Sequence, residues 1–123
     1  MADTEKLIIM VTHGPSDPEL ATLPFVMAVA AMASDVEVVV GLQGSGVELA
    51  VKGVADTVAA PGFPPLAKLL TDYRDLGGQL LLCGPCIKGR AIDPDTQLID
   101  NASVVAAGRF VAEVTSSTNA LVY

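Results

Sequence analysis

Gly77-Gly78-Gln79-Leu80-Leu81-Leu82-Cys83-Gly84-Pro85-Cys86-Ile87-Lys88-Gly89-Arg90 carries the most structural information of any stretch in this chain. Paired glycines close a helix, because the residue beyond the last turn adopts positive φ and glycine does so without a steric penalty. Gln79 to Leu82 is then a short apolar run, the pattern of a strand covered on both faces within a parallel sheet. Cys83 stands where that strand ends, and Gly84-Pro85 imposes a turn behind it. A helix, a buried strand and a turn with two thiols together read as part of a βαβ unit. Its chemistry sits at the carboxyl end of the strand.

Upstream, Lys6 to Thr12 (KLIIMVT) predicts the first strand, and His13-Gly14-Pro15-Ser16-Asp17-Pro18 breaks it with a glycine and two prolines. Glu19 to Ala33 predicts a helix that is apolar nearly all round and therefore well buried. Asp35 to Val40 predicts the second strand. The loop Gln43-Gly44-Ser45-Gly46 follows on the same side of the sheet, and then a short helix over Gly46 to Gly53. Pro65 to Leu76 is the helix that Gly77-Gly78 closes, with Pro65 suited to its first turn. Downstream, Asp95 to Asn101 reads as a short helix or turn. Ser103 to Ala106 is a fourth strand, Gly108 to Ser116 a helix, and Asn119 to Tyr123 a final strand.

This alternation predicts one α/β domain over residues 1–123. It is a three-layer, mostly parallel five-stranded sheet with helices on both faces, flavodoxin-like in order. In that order the functional crevice falls between strands one and three, with the loops at His13 and Cys83 side by side.

Composition sharpens the picture. Hydrophobic residues make up 51% of the 123, yet aromatics only 4%, with no Trp, so the core is aliphatic. A formal net charge of −7 and seven scattered basic residues exclude a nucleic-acid partner, which would need clustered Lys and Arg. The longest apolar stretch, Leu23 to Ala33, is about half a membrane span and contains Pro24, so no membrane association is expected. The opening Met-Ala-Asp-Thr-Glu lacks a basic leader, and the expected compartment is cytoplasmic. So many apolar residues with so few charges leave apolar surface to cover, which predicts a homo-oligomer.

In a cytoplasmic chain a Cys-x-x-Cys is more often catalytic, redox-active or metal-binding than structural. A nucleophilic sulfur must be thiolate, and Lys88 and Arg90 concentrate positive charge beside Cys83 in an otherwise acidic protein. Cys-Gly-Pro-Cys also occurs in thioredoxins, but there it comes early in the chain and after a Trp, which this chain lacks.

A strand ending in cysteine, with an arginine seven residues on, resembles the DsrE/DsrF-like (TusD-like) family of sulfur-relay proteins. The resemblance extends to the Gly-containing loop of Met10-Val11-Thr12-His13-Gly14, the Gly-rich loop after strand two, and the Gly-Gly before the cysteine strand. It implies a DsrE/F-like fold, assembly as a homotrimer or hexamer, and a persulfide carried on Cys83 and passed to an acceptor protein. Arg90 matches the arginine of the family's Arg-Gly pair, whereas Ala91 stands where glycine is usual. Cys86 has no counterpart in the sulfur-relay members.

The candidate catalytic residues are thus Cys83 and Cys86. The candidate binding residues are His13, Gly14, Gln43, Gly44, Lys88 and Arg90. Each has a plainer alternative: packing thiols, a solvated loop histidine, turn-forming glycines. Two cysteines and one histidine fall short of a four-ligand zinc site, so no metal is expected, and no motif implies a cofactor. Three functions stay open. One is sulfur transfer through a Cys83 persulfide, with a donor or acceptor protein as partner. Another is dithiol redox or thiol sensing by Cys83 and Cys86. The last is a non-enzymatic oligomeric module that binds a small ligand.

Overall fold

The computed structural model describes residues 5–123. Five strands, β1 (Lys6–Val11), β2 (Glu37–Leu42), β3 (Leu80–Cys83), β4 (Ala102–Val105) and β5 (Asn119–Val122), form one sheet. All four strand pairings are parallel. The helices are α1 (Pro18–Ala33), α2 (Leu66–Asp75), α3 (Gly84–Gly89) and α4 (Ala107–Ser116). The α/β class and the five-stranded sheet are as the sequence predicts.

Strand order corrects one expectation. The order is β4-β3-β2-β1-β5, so β2 lies between β1 and β3 and pairs with both. The crevice expected between strands one and three does not exist. The ends of β1 and β3 are two strand spacings apart, about 10 Å. The order reverses instead between β1 and β5. Three crossovers step from β1 to β4 in one direction, and the last returns across the sheet to β5. Crossovers of one common hand then put α1 and α2 on one face and α4 on the other.

The packing follows this division. Ile9, Val11, Val40, Leu42, Leu80 and Leu82 face Phe25 of α1 and Leu66 and Tyr73 of α2 in the larger core. Alternate residues Ile8, Met10 and Leu81 face Phe110 of α4 in a smaller one. Each fully buried aliphatic or aromatic side chain here contributes about 1.5–3 kcal/mol. Tyr73 is fully buried, and its hydroxyl donates to the Gln79 carbonyl at 2.6 Å, which satisfies the one polar group it brings inside. Burial pushes its phenol well above the ordinary tyrosine range.

Several boundaries shift for local reasons. Asp35 takes positive φ (62°) and closes the turn after α1, so β2 begins at Glu37 and runs on through Gly41 to Leu42. Helix α1, apolar nearly all round, buries only one side, and Met27 remains 41% exposed. The helix after β2 is of the 3-10 type and starts at Gly44, ending at Ala50. Residues 95–101 form a turn in which Leu98 bridges Val51. Among the described residues, no helix is long and apolar enough to cross a membrane.

Candidate functional site

Strand β3 delivers Cys83 to the carboxyl edge of the sheet, where it caps α3 with extended backbone (φ −61°, ψ 117°). Pro85 occupies the first turn of α3, where its missing N–H costs no hydrogen bond. One turn of helix then brings Cys86 back over Cys83. Their Cα atoms lie 5.2 Å apart, within the span of a disulfide, and the two sulfurs are paired. Both residues are half-buried. Cys83 packs against both core clusters, Cys86 against the larger one. Buried Ile87 anchors α3 to that core.

A second wall comes from the loops after β1 and β2. Gly46 lies so close to the Val11 carbonyl that a Cβ there would collide with it, so the two loops pack backbone to backbone. Gln43 N–H donates to that same Val11 carbonyl at 3.0 Å. Ser45 Oγ accepts from Gly14 N–H at 3.2 Å and donates to the Thr12 carbonyl, also at 3.2 Å. Gly44 adopts φ +55°, the left-handed region suited to glycine, and its N–H donates to Cys86 Sγ at 3.3 Å. The β1 loop, the β2 loop and the thiol turn therefore form one connected row.

Charged residues sit at the rim. Arg90 Nη1 donates to the Cys86 carbonyl at 3.3 Å, and its Nε lies 3.5 Å from Glu48 Oε2. Glu48 thus offsets the positive charge expected from Arg90. Lys88 is exposed on α3. His13 Nδ1 lies 3.3 Å from Thr12 Oγ1, which in turn donates to the Tyr123 carbonyl at 2.7 Å. The imidazole itself thus meets the Thr12 hydroxyl at the β1/β5 end of the sheet, and its described hydrogen bond does not reach a thiol.

Of the residues expected at the site, Cys83, Cys86, Gly44 and Arg90 come together directly, and Gly14 and Gln43 join through the packed loops. His13 and Lys88 have no such link to the sulfurs among the described hydrogen bonds. Sequence reasoning missed Ser45 and Glu48. On the α4 face, Met10, Gln43, Phe110, Val111, Val114 and Thr115 line an apolar groove of about 260 Å³. Met10 and Phe110 belong to the small core against which Cys83 also packs, but none of the residues lining the groove comes from the thiol turn. A cavity of about 200 Å³ elsewhere, lined in part by Leu70, Arg74 and Asn101, includes none of the expected residues.

A model of the DsrE/DsrF-like family matches residues 5–123, nearly the whole chain. The chain belongs to the DsrE/DsrF-like family. Its backbone resembles the crystal structure of the ychN protein from E. coli, with a TM-score of 0.81 and 20% identity, covering 98% of this chain and 100% of that one. It also resembles MTH1491 from Methanobacterium thermoautotrophicum, with a TM-score of 0.69 and 14% identity, covering 98% of this chain and 100% of the other. At these identities the likeness concerns the DsrE-like fold alone. Two proteins of Methanocaldococcus jannaschii are similar in sequence. MJ0989 is 27% identical over 118 residues, which is 96% of this chain and 99% of that protein. MJ0760 is 29% identical over 107 residues, 87% of this chain, and the match spans only 38% of the longer protein.

Proposed function

We propose that this protein is a sulfur carrier that takes up sulfane sulfur as a persulfide on Cys83 and passes it to an acceptor. The observation that carries the reading is the position of Cys83. It is half-buried at the carboxyl edge of a parallel sheet, at the start of the helical turn that the β2 loop meets through Gly44 N–H. Membership of a family whose general theme is sulfur relay supports it. Uptake is a displacement: Cys83 thiolate attacks the outer sulfur of a sulfane donor, the new S–S bond forms, and the donor leaves with its electron pair.

The pairing of Cys83 with Cys86 favours a second reading, a dithiol redox or thiol-sensing protein. The two differ in what they need. A persulfide forms on one thiol, whereas a reversible disulfide needs both. After reduction and exposure to polysulfide, Cys86→Ser should gain one sulfur, about 32 mass units, and Cys83→Ser should not. Intact-protein mass spectrometry reads both. Loss of loading in Cys86→Ser, or equal loading of Cys83→Ser, would overturn the single-thiol carrier.

We further propose that copies of this chain associate, as a homotrimer or a multiple of it, through the α4 face. Val111, Val114 and Val122 are 61%, 43% and 72% exposed there, beside the apolar groove, and water is a poor partner for them. A cytoplasmic setting accords with the reduced thiols that sulfur uptake requires.

A further inference from the structure

We infer that the protein does more than carry sulfur: Cys86 discharges the Cys83 persulfide as hydrosulfide, which makes the chain a sulfane-sulfur reductase. This inference rests on the persulfide reading of Cys83. The geometry that assigns the step is the direct pairing of the two sulfurs, across Cα atoms 5.2 Å apart. A persulfide on Cys83 has two sulfurs open to attack. Cys86 is held against the inner one, Cys83 Sγ, because that is the atom it is bonded to in the paired state. Attack at the inner sulfur expels the outer one.

The step balances without any outside reagent. Cys86 thiolate forms a bond to Cys83 Sγ, and the bond from Cys83 Sγ to the outer sulfur breaks. The outer sulfur leaves with the electron pair and its proton as hydrosulfide. It is reduced by two electrons, and the two cysteine sulfurs together lose two in becoming a disulfide. A dithiol or a small thiol then restores the starting state, being itself oxidised to a disulfide.

Two neighbours serve Cys86 rather than Cys83. Gly44 N–H donates to Cys86 Sγ, so negative charge on that sulfur is met by a fixed backbone dipole whenever the pair is open. Arg90 donates to the Cys86 carbonyl and so braces the turn that carries it. The reductant therefore attacks Cys83 and releases Cys86 as the stabilised thiolate. The same stabilised thiolate is then the one held against Cys83 Sγ, and it is the attacking group in the discharge.

The test uses the full chain, reduced, desalted, treated with polysulfide, and compared with Cys86→Ser under identical handling. Hydrosulfide is trapped with a bimane reagent, and protein mass is read in parallel. Wild type should release about one hydrosulfide per chain beyond the Cys86→Ser level and end two hydrogens lighter, with a Cys83–Cys86 cross-link. Cys86→Ser should keep the added sulfur and release no hydrosulfide beyond the leaving group of the polysulfide donor. If wild type holds its added sulfur as stably as Cys86→Ser, the discharge is wrong while the carrier reading stands. If neither protein gains sulfur and no hydrosulfide appears, the carrier reading fails, and the discharge with it. A Cys83→Ser protein that releases hydrosulfide as wild type does would overturn the assigned roles.

Discussion

Ser45 has no acid–base chemistry of its own, yet its hydroxyl joins the loops that wall the thiol site. It accepts from Gly14 N–H and donates to the Thr12 carbonyl. Gly14 is buried, so removing the hydroxyl leaves an N–H without a partner, at a cost of about 1–3 kcal/mol. Ser45→Ala should lower the urea midpoint by an amount equivalent to about 1–2 kcal/mol, with the m-value unchanged. An unaltered midpoint would remove Ser45 from this bridging role. The two cysteines were legible in the sequence because a Cys-x-x-Cys at a strand end is a local pattern. Ser45 was not, since its partners lie 31 and 33 residues away and nothing in Gln43-Gly44-Ser45-Gly46 announces them. Glu48 was hidden for the same reason: it meets Arg90 only after the chain has crossed from β2 to β3.

Helix α4 buries Phe110 against the sheet, and Lys6 of β1 ties it there through Glu113 and the Ser116 hydroxyl. Glu113 accepts from Lys6 Nζ at 2.8 Å and from Arg109 Nε at 2.7 Å, with only 13% of its side chain exposed. The hydrogen bond from Lys6, then that from Arg109, hold its carboxyl below the ordinary glutamate range. A folded-state value below the unfolded one means that the stabilisation is present above the unfolded value and is lost as pH falls through the folded one. Glu113→Gln should therefore cost about 1 kcal/mol at pH 7. That difference from wild type should close as the pH is lowered below about 4. Paired urea titrations across that range would check it, and a gap that persists in acid would show that the charge is not responsible. The strands themselves were legible, because KLIIMVT and QLLLC are continuous apolar runs. Their order was not, since no local pattern says which neighbour a buried parallel strand will choose. Helix α3 was hidden by its composition, because two glycines and a proline in six residues read as a turn until packing of Ile87 holds them helical.

At the scale of the whole molecule, the unequal cover of the sheet sets the expectation for assembly. Helices α1 and α2 shield one face, whereas among the described residues α4 alone covers the other. The apolar surplus evident in the composition thus concentrates around Val111, Val114, Val122 and the groove between α4 and Met10. Burying each of these valines against a second copy contributes at most about 1.5 kcal/mol, so several must act together for association to exceed its entropic cost. Light scattering coupled to size exclusion at micromolar concentration should give a trimeric multiple of the 12.6 kDa chain mass. Replacing Val111 and Val114 together by glutamate puts two charges on that face while sparing Phe110, the buried anchor of α4. The double variant should keep the wild-type far-ultraviolet circular dichroism and elute as a single chain. A wild type that scatters as one chain at every concentration would overturn the assembly. A double variant that still assembles would move the interface away from α4, to the exposed outer side of α1 around Met27.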